Sequence, residues 1–386
     1  MTITLDSPPR AADVLDHVRS MSADIASRSA EIEGARRVPI DLLESLKAAG
    51  CFRMQLPTSH GGAECDLGAA MQVGEELSRA DASVGWIVLL GSGNWIDLAG
   101  LPRATFDSMY PAGGNTIAAG AFNPTGVAMP VDGGYLVNGR WSFASGCEHA
   151  DWLYGNCVDT SSGEPQLRIA VFDPSEVEIE DTWTVSGLCG SGSHHFSVRD
   201  VVVPAERTFN VFADEPCVDT PLARIPIPAV FALSLGAVPI GIAQGALDDI
   251  VALGTDKVPL LSPGTLATNP LFHYQLAEAD VKLRAARSLL YAEADEAWAW
   301  AVAGEEFTAP FRARLRSVAV LAVTTAAVVV ETAYRAGGGS SLYTTSPLQR
   351  RLRDVNAVNQ HFLLKPDTLT TCGAVMAGQE PDLTVF

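Results

Sequence analysis

Apolar residues recur at helical spacing through the first part of the chain, from about residue 10 to residue 112. The three-residue spacing within residues 40–46, directly after Pro39, places these side chains near one face of a helix. Gly50 should end that helix, and an amphipathic helix should begin near Asp66 after an intervening loop. The pattern predicts a mostly helical first segment.

The pattern changes between about residues 115 and 215, where short apolar or alternating segments end near turn residues. Such segments are typical of β-strands. They predict strands at residues 135–138, 153–158, 167–172 and 198–203. Asp132, Gly133 and Gly134 predict a hairpin turn ahead of the first of these strands. The middle of the chain is therefore predicted to form a β domain.

Long helical segments return from about residue 225. The predicted helices span residues 232–253, 274–303, 310–336 and 348–364. Pro239 should either kink the first of them or mark its beginning, and Pro366 should end the last. The apolar run at residues 318–330 is too short for the roughly 20 residues that span a bilayer, so it predicts a buried helix. Four such helices fit an antiparallel bundle.

Composition and charge narrow the classes of function. The chain has 386 residues, of which 47% are hydrophobic and 18% are charged, as in a globular protein with a sizeable core. Its formal net charge of −19 argues against nucleic acid or an anionic membrane as a partner, because both require clustered cations. The seven cysteines form no CxxC pair, which favours reduced thiols in a cytoplasmic protein.

Several motifs follow one another along the chain. They lie at residues 39–62, at 80–86 (Ala-Asp-Ala-Ser-Val-Gly-Trp), at 133–146, which ends in Trp-Ser-Phe-Ala-Ser-Gly, and at 187–204; a glycine turn at 337–339 precedes an Arg-Asp pair at 353–354. Together they resemble the acyl-CoA dehydrogenase family, and within it the two-component monooxygenases that use reduced flavin. The resemblance covers nearly the whole chain. It implies a mostly α fold with a central β domain: an N-terminal helical domain at 1–114, a middle β-barrel or sandwich at 115–215 and a C-terminal four-helix bundle at 216–386.

The end of the chain departs from the dehydrogenase pattern. Many acyl-CoA dehydrogenases have an acidic base at the place where this chain has Phe362, and His361 directly precedes it. A phenylalanine cannot abstract a proton. The resemblance therefore implies hydroxylation of an aromatic or indole-type ring through a flavin C4a-hydroperoxide, with His361 contacting the hydroperoxide or the substrate.

The resemblance also assigns residues to the flavin and substrate sites. Ser145 matches the serine of the family's Trp-x-Phe-x-Ser-Gly strand, whose hydroxyl or backbone amide lies beside flavin N5; alternatively, it is an ordinary serine at a strand end. The expected flavin contacts are Phe122, Asn123, Trp141, Phe143, Ser145, Ser191, Ser193, Gly337, Gly338 and Arg353. The expected substrate pocket includes Trp95 and Phe362, and the expected catalytic residues are Ser145 and His361.

The resemblance implies reduced flavin, FADH2 or FMNH2, and molecular oxygen as cofactors. The chain has neither a P-loop nor the Rossmann fingerprint, so NAD(P)H is not expected to bind here. The electrons should come from a separate NAD(P)H flavin reductase by diffusion of the reduced flavin. A small aromatic substrate and a homotetramer are expected, without a metal, because His194 and His195 have no partner at ligand spacing.

Three alternatives stay open at the level of sequence. An amine N-hydroxylase would share the scaffold. An acyl-CoA dehydrogenase would need a catalytic carboxylate, for which Asp354 and Asp367 are the candidates near the family position. A catalytically inactive flavin-binding bundle is the third. Several members of the resembled group have a histidine near the place of residues 93–95, which this chain lacks; that difference favours an indole or another ring that needs no phenolate.

Overall fold

The computed structural model describes residues 10–159, 161, 163, 165–210, 213–383 and 386. The helices are α1 Ala11–Ser27, α2 Ser29–Ala35, α3 Ile40–Ala48, α4 Leu67–Ala80, α5 Ala82–Gly93, α6 Arg103–Met109, α7 Pro221–Arg224, α8 Ile227–Asp256, α9 Pro270–Ala303, α10 Ala309–Ala336, α11 Pro347–Val358 and α12 Thr368–Met376. The strands are β1 Ala118–Val131, β2 Gly134–Ala144, β3 Trp152–Asp159, β4 Gln166–Phe172, β5 Glu178–Glu180, β6 His194–Pro204 and β7 Thr208–Phe209.

The N-terminal helices begin and end where the sequence signals place them. α3 follows Pro39, and Gly50 lies just beyond its end with φ +85°, a backbone conformation that favours glycine. The Asp66 carboxylate accepts a hydrogen bond from the Ala69 backbone N–H at 2.7 Å and so caps α4. Asp81 caps α5 in the same way, through the backbone N–H of Ser83. This cap fixes the start of the helix that contributes to the candidate site.

The β domain is one seven-stranded sheet with the order β5-β6-β2-β1-β3-β4-β7. The predicted hairpin is confirmed, because Val131 pairs with Gly134 across a two-residue turn. The four predicted strands are present, but β1 was not predicted. Its sequence contains glycine and proline, and its pairing with β3 shifts register between Ala121 and Gly126. An irregular strand of this kind lacks the alternation on which the prediction depended.

The C-terminal helices form the predicted bundle, but several of their bounds differ from the prediction. α8 begins at Ile227 and continues through Pro239, so Pro239 does not begin the helix, and a kink there stays a prediction. α11 ends at Val358 instead of reaching residue 364, so the prediction was wrong for its last turn. The chain instead turns there, with the Leu364 N–H donating to the His361 carbonyl at 2.9 Å. This turn buries Leu363 and Leu364 and leaves His361 outside the helix.

Helices from both ends of the chain share one hydrophobic core. α4 packs on α8 so closely that a side chain at Gly241 would meet the Glu75 backbone carbonyl. By length and composition α8 and α10 could each cross a membrane, but 94% and 61% of their most apolar windows are buried in the fold, as in core helices. All described strands lie between residues 118 and 209, inside the segment predicted as the β domain; residues 1–9 of the first predicted domain lie outside the described residues.

Candidate functional site

The end of β2 presents an aromatic ring to solvent. Phe143 has φ +67°, a left-handed conformation that is uncommon for a residue with a side chain. Its ring is 69% exposed and lies edge-on to the rings of Trp183, at 6.2 Å, and His195, at 6.1 Å. The Ser145 backbone N–H donates to the Phe143 carbonyl at 3.0 Å, which closes a tight turn at the strand end. The turn thus places an exposed apolar ring two residues before Ser145.

Three serine hydroxyls form a row behind this strand end. Ser145 Oγ lies 2.8 Å from Ser193 Oγ, which in turn lies 2.8 Å from Ser191 Oγ. Ser191 donates its only hydroxyl proton to the Leu188 carbonyl at 2.7 Å. Ser193 must therefore donate to Ser191, and Ser145 must donate to Ser193. The row has one direction, and it ends at a carbonyl that accepts hydrogen bonds only.

Trp86 of α5 connects Ser145 to the C-terminal part of the chain. Its indole Nε1 donates to Ser145 Oγ at 3.0 Å. The ring centroid of Trp86 also lies 5.3 Å from that of His361, with the two rings nearly perpendicular. The structure therefore brings the two predicted catalytic residues, Ser145 and His361, into contact with the same indole side chain.

His361 is half-buried and uncharged at neutral pH. Burial of the imidazole, with the positive charge of Arg316 as a second cause, lowers the pKa of His361 to about 4. The Leu363 backbone N–H points at His361 Nδ1 at 3.4 Å. A neutral imidazole that accepts at Nδ1 carries its proton on Nε2. His361 can thus donate one hydrogen bond from Nε2 without becoming a cation.

Arg353 and Asp354 hold the loop that carries Ser191 and Ser193. The Asp354 carboxylate accepts the Leu188 backbone N–H at 2.8 Å, and burial raises the pKa of Asp354 to about 7. Arg353 is half-buried, and it donates to Glu33 at 2.6 Å and to the Ser186 carbonyl. α11 is thereby tied to the loop that carries the serine row. The flavin contact of Arg353 stays a prediction.

Models of two protein domains match the chain. That of the acyl-CoA dehydrogenase N-terminal domain matches residues 10–100, and that of the acyl-CoA dehydrogenase C-terminal domain matches residues 233–366. Indole-3-acetate monooxygenase of Pseudomonas putida is 33% identical to the chain over 98% of this chain and 95% of that protein. The chain belongs to the flavin-dependent monooxygenases of the acyl-CoA dehydrogenase family.

Further relatives of this monooxygenase agree with that placement. The oxygenase component of an FADH2-dependent resorcinol hydroxylase from a Rhizobium species is 30% identical over 97% of each chain. The crystal structure of 3-HSA hydroxylase from a Rhodococcus species superimposes with a TM-score of 0.91 at 27% identity, covering 97% of this chain and 99% of the other. The predicted family, fold class and enzyme class are confirmed: the protein is an oxygenase component that depends on reduced flavin.

Several predicted site residues of this monooxygenase lie below the surface. Trp141 is fully buried in the β-domain core, stacked on Phe196 with ring centroids 4.9 Å apart, and has no surface from which to contact a flavin. Ser191 is likewise buried, so its role is to hold the serine row. Trp95 is buried beside Phe106 in the N-terminal helical core. These three side chains are covered by protein in this structure, and their contacts with flavin or substrate stay predictions.

The other predicted residues differ in how far they are exposed. Asn123 is exposed and Phe122 half-buried on β1, and Ser193 is buried but bonded directly to Ser145. Phe362 is 53% exposed with its ring 5.0 Å from that of His361. Gly338, the second glycine of the predicted flavin-contacting turn, is exposed with φ +51°, whereas Gly337 is buried. No described contact joins that turn to the Ser145 row.

The carboxylates that a dehydrogenase would need are placed elsewhere. Asp354 is bonded to the Leu188 backbone, and Asp367 is exposed beyond the turn that carries His361. His194 is an ordinary buried histidine, because its Nδ1 accepts from the backbone N–H groups of Thr182 and Trp183 at 3.2 Å each. Within the described part of the chain, no group of three or more His, Cys, Asp or Glu residues could hold a metal ion.

Sequence reasoning missed two residues near the reactive side chains. Trp86 closes the motif at residues 80–86, but nothing in that motif shows that its indole reaches Ser145, 59 positions further along the chain. Arg316 is the last of three arginines at residues 312, 314 and 316, a pattern that reads as part of an exposed helix face. Only the tertiary structure places its charge close enough to act on His361.

Proposed function

We propose that this monooxygenase uses reduced flavin and O2 to hydroxylate an aromatic or indole-type ring at the cluster of Trp86, Ser145 and His361. The observation that carries the proposal is the position of Trp86, which contacts both other residues and so joins the β domain to the C-terminal helices at one place. The names of its relatives, an indole-3-acetate monooxygenase and a resorcinol hydroxylase, support an aromatic ring as the substrate.

The side chains around Ser145 fit a flat ring system. Phe143 offers an exposed apolar ring, and Asn123 lies on the neighbouring strand at the same end of the sheet, where Thr125 Oγ1 donates to the Arg140 carbonyl at 2.7 Å. We expect Phe143, Ser145 and the exposed part of β1 to hold the flavin, FADH2 or FMNH2. When bound, reduced flavin reacts with O2 and supplies one oxygen atom to the substrate ring.

The direction of the serine row selects the oxidation state of the flavin. Ser145 donates its proton to Ser193 and accepts from Trp86, so the only remaining capacity of its hydroxyl is to accept one more hydrogen bond. Reduced flavin carries a proton on N5 and can donate there, whereas oxidised flavin has only a lone pair. The Ser145 backbone N–H is already bonded to Phe143. The site therefore favours reduced flavin, as an oxygenase that receives diffusing flavin requires.

His361 has a matching role on the substrate side. As a neutral imidazole with its proton on Nε2, it can donate to an oxygen atom near the substrate or orient a polar group of the ring. It is a weak base, since its pKa is about 4, and so is not suited to generating a phenolate at neutral pH. An indole or another ring that reacts without prior deprotonation fits this chemistry better than a simple phenol.

Assembly and partners complete the proposal. A homotetramer is supported by apolar side chains that the bundle helices α9 and α10 leave more than two-fifths exposed: Val281, Leu289, Val302, Leu321 and Val328. A separate NAD(P)H flavin reductase would supply the reduced flavin by diffusion, in the cytoplasm. C-hydroxylation is preferred over N-hydroxylation because the aromatic relatives support it and no observation favours an amine.

The proposal is tested with a coupled assay. Purified protein, a general flavin reductase, NADH and either FAD or FMN are incubated under 18O2 with a panel of indoles, phenols, polycyclic aromatics and amines. We expect at least one aromatic substrate to gain a single 18O atom, detected by mass spectrometry. Incorporation into amines alone would support N-hydroxylation, and NADH consumption that yields only hydrogen peroxide with every substrate would contradict the proposal.

A further inference from the structure

Gln55, in the loop between α3 and α4, is a buried amide with one unpartnered end. It is 2% exposed, and its Nε2 atom has no hydrogen-bond partner among the described residues. Its Oε1 atom accepts the proton of the Ser92 hydroxyl at 3.0 Å, a shorter contact than that of the same hydroxyl with the Leu89 carbonyl, at 3.3 Å. A buried donor without an acceptor opposes folding. The amide therefore calls for an acceptor from outside the described chain, either a water molecule or a ligand.

The Gln55 amide lies against the C-terminal end of α5. A Cβ atom on Gly93, the last residue of that helix, would lie 3.4 Å from Gln55 Oε1 and 3.4 Å from Cε1 of Phe231 on α8. A longer side chain at residue 93 would fill the space between the helix end, the amide and the phenylalanine ring. Because residue 93 is glycine, α5 leaves that space to another group.

The face of α5 that ends at Gly93 also carries Trp86. Residues 86, 90 and 93 follow one another at spacings of four and three, so they lie on one side of the helix. Of the twelve residues of α5, all of them described, only Leu90 is not buried. The rise of 1.5 Å per residue puts about 10 Å along the helix axis between Trp86 and Gly93. The accessible face of α5 thus runs from the indole of the proposed site to the glycine beside Gln55.

We infer that Gln55 selects aromatic substrates whose short side chain carries a carbonyl oxygen: the ring lies at Trp86 and His361, and Gln55 Nε2 donates to that oxygen. The inference rests on the proposed function and adds a specificity-determining residue and the chemical class of the substrate's side chain. A two-ring aromatic with a short side chain spans about the 10 Å between the two ends of α5. Phe231 supplies an apolar wall beside the side chain. A substrate without the oxygen is rejected because it leaves the buried amide unpaired.

The test compares two ligands that differ in one group. Indole-3-acetone has a C=O in its side chain, and 3-(2-methylallyl)indole has a C=CH2 of nearly the same shape in its place. Binding is measured by isothermal titration calorimetry on the purified protein, without flavin and anaerobically with reduced flavin. We expect wild type to bind the ketone at least about 10-fold tighter, because only the ketone pairs the buried donor. Binding of both ligands with equal affinity, or of neither, would overturn the inference.

Variants assign the preference to one side chain. Gln55→Leu removes the amide with little change in volume; it should weaken ketone binding until the two ligands differ by less than about twofold, because the donor is lost. Gln244→Leu is the matched control. The Gln244 amide is bonded at both ends, to Asp248 at 3.1 Å and to Arg287 at 3.2 Å, so its loss should leave the preference intact. A preference that survives in Gln55→Leu overturns the inference.

Thermal unfolding without ligand separates this role from a structural one. An amide that serves only the fold would make Gln55→Leu less stable than wild type. An amide held unpaired for a ligand predicts a melting temperature equal to that of wild type or higher, since Ser92 can then donate to the Leu89 carbonyl. The ketone should raise the melting temperature of wild type more than that of Gln55→Leu. A variant that melts well below wild type would assign Gln55 to the core and overturn the inference.

Failure of this inference is separable from failure of the proposed function. If wild type and Gln55→Leu both hydroxylate the two indoles with equal efficiency in the coupled assay, the proposed function stands and the role of Gln55 falls. If the ketone binds through Gln55 although no aromatic compound is hydroxylated, the acceptor-selecting site stands and the proposed function falls.

Discussion

Trp86 donates a hydrogen bond of 3.0 Å from its indole Nε1 to Ser145 Oγ, across 59 residues of sequence. The same indole lies edge-on to His361 at 5.3 Å. One side chain of α5 therefore contacts both a hydroxyl of the β domain and an imidazole in the turn that follows α11. The relative placement of the flavin side and the substrate side of the site depends on it.

Replacement of Trp86 by phenylalanine tests this arrangement. Phenylalanine keeps an aromatic ring near His361 but has no N–H for Ser145, so Ser145 loses one of its two fixed partners. We expect more hydrogen peroxide and less hydroxylated product for each NADH oxidised, because the Ser145 hydroxyl can then rotate. The loss of one hydrogen bond of about 0.5–1.5 kcal/mol should change the ratio several-fold. Peroxide and product are quantified together in the coupled assay.

A tryptophan outside the cluster provides the control for this change. Trp300 packs against Phe311 in the bundle, with ring centroids 4.3 Å apart. Trp300→Phe should leave the ratio of product to peroxide as in wild type. If the ratio of product to peroxide falls equally in both variants, a general loosening of the fold, and not the loss of the bond to Ser145, is the cause.

Replacement of Ser193 by alanine tests the direction of the serine row. Without Ser193, the Ser145 proton has no acceptor in the protein and is available to donate to a flavin nitrogen. Oxidised flavin should then bind better relative to reduced flavin. We expect the ratio of the two dissociation constants to fall by roughly 2- to 10-fold, the equivalent of one hydrogen bond. Anaerobic and aerobic fluorescence titrations of the same protein measure the two constants.

The matched serine for this experiment is Ser175, whose hydroxyl donates to Asp173 at 2.6 Å on the exposed side of the β domain. Ser175→Ala should leave the selectivity for reduced flavin unchanged. If wild-type protein binds oxidised and reduced flavin equally well, the assignment of Ser145 as an acceptor for a flavin N–H is wrong.

The pKa of His361 makes the stability of the protein sensitive to acid. The fold lowers that pKa to about 4 from its ordinary value of about 6.5, so the folded protein favours the neutral imidazole. The stabilisation is present above the unfolded-state pKa and is lost as pH falls from about 6.5 towards 4. We expect the free energy of unfolding to fall over this window by on the order of 1–3 kcal/mol more in wild type than in His361→Gln.

Urea unfolding at pH 7 and pH 4.5 measures this difference. His273→Gln, at an exposed histidine, should lose stability with acid as wild type does. If wild type and His361→Gln lose stability to the same extent between the two pH values, His361 is not held neutral by the fold. Because His361 does not change its charge between pH 6 and 8, we also expect it to cause no change in the hydroxylation rate over that range. The pH dependence of the rate in this range should therefore be the same in wild type and in His361→Gln.

Much of the fold could be predicted because its signals are local. Pro39, Gly50 and Asp66 mark helix ends through their own backbone preferences or capping groups, and the turn at residues 132–133 sets the hairpin register. β1 could not be predicted in the same way, since its irregular register is stabilised by pairing on both sides. The end of α11 depends on the burial of Leu363 and Leu364 in the bundle. No residue next to them in the sequence is a signal for this end.

The candidate site could also be predicted only in part: its motifs could be recognised in the sequence, but the burial of individual side chains could not. Ser145 and His361 were assigned from the family resemblance, because each lies at a recognisable position in a motif that resembles the family's. Trp141 and Ser191 belong to equally recognisable segments, but their depth depends on which face of the sheet or loop is covered, and both are buried. The burial of Arg316 likewise depends on its surroundings alone. Sequence names the side chains, whereas packing decides which of them can touch a ligand.

The central claim is that His361 acts on the substrate side of a reduced-flavin hydroxylation site. The most direct measurement is a single turnover: protein with stoichiometric reduced flavin and an aromatic substrate is mixed with 18O2, and labelled product is counted. We expect one 18O atom in each product molecule of wild type, and a rate lower by roughly 10²-fold or more in His361→Ala. Reduced flavin should bind that variant as it binds wild type. Unlabelled product, or full hydroxylation by His361→Ala, would contradict the account.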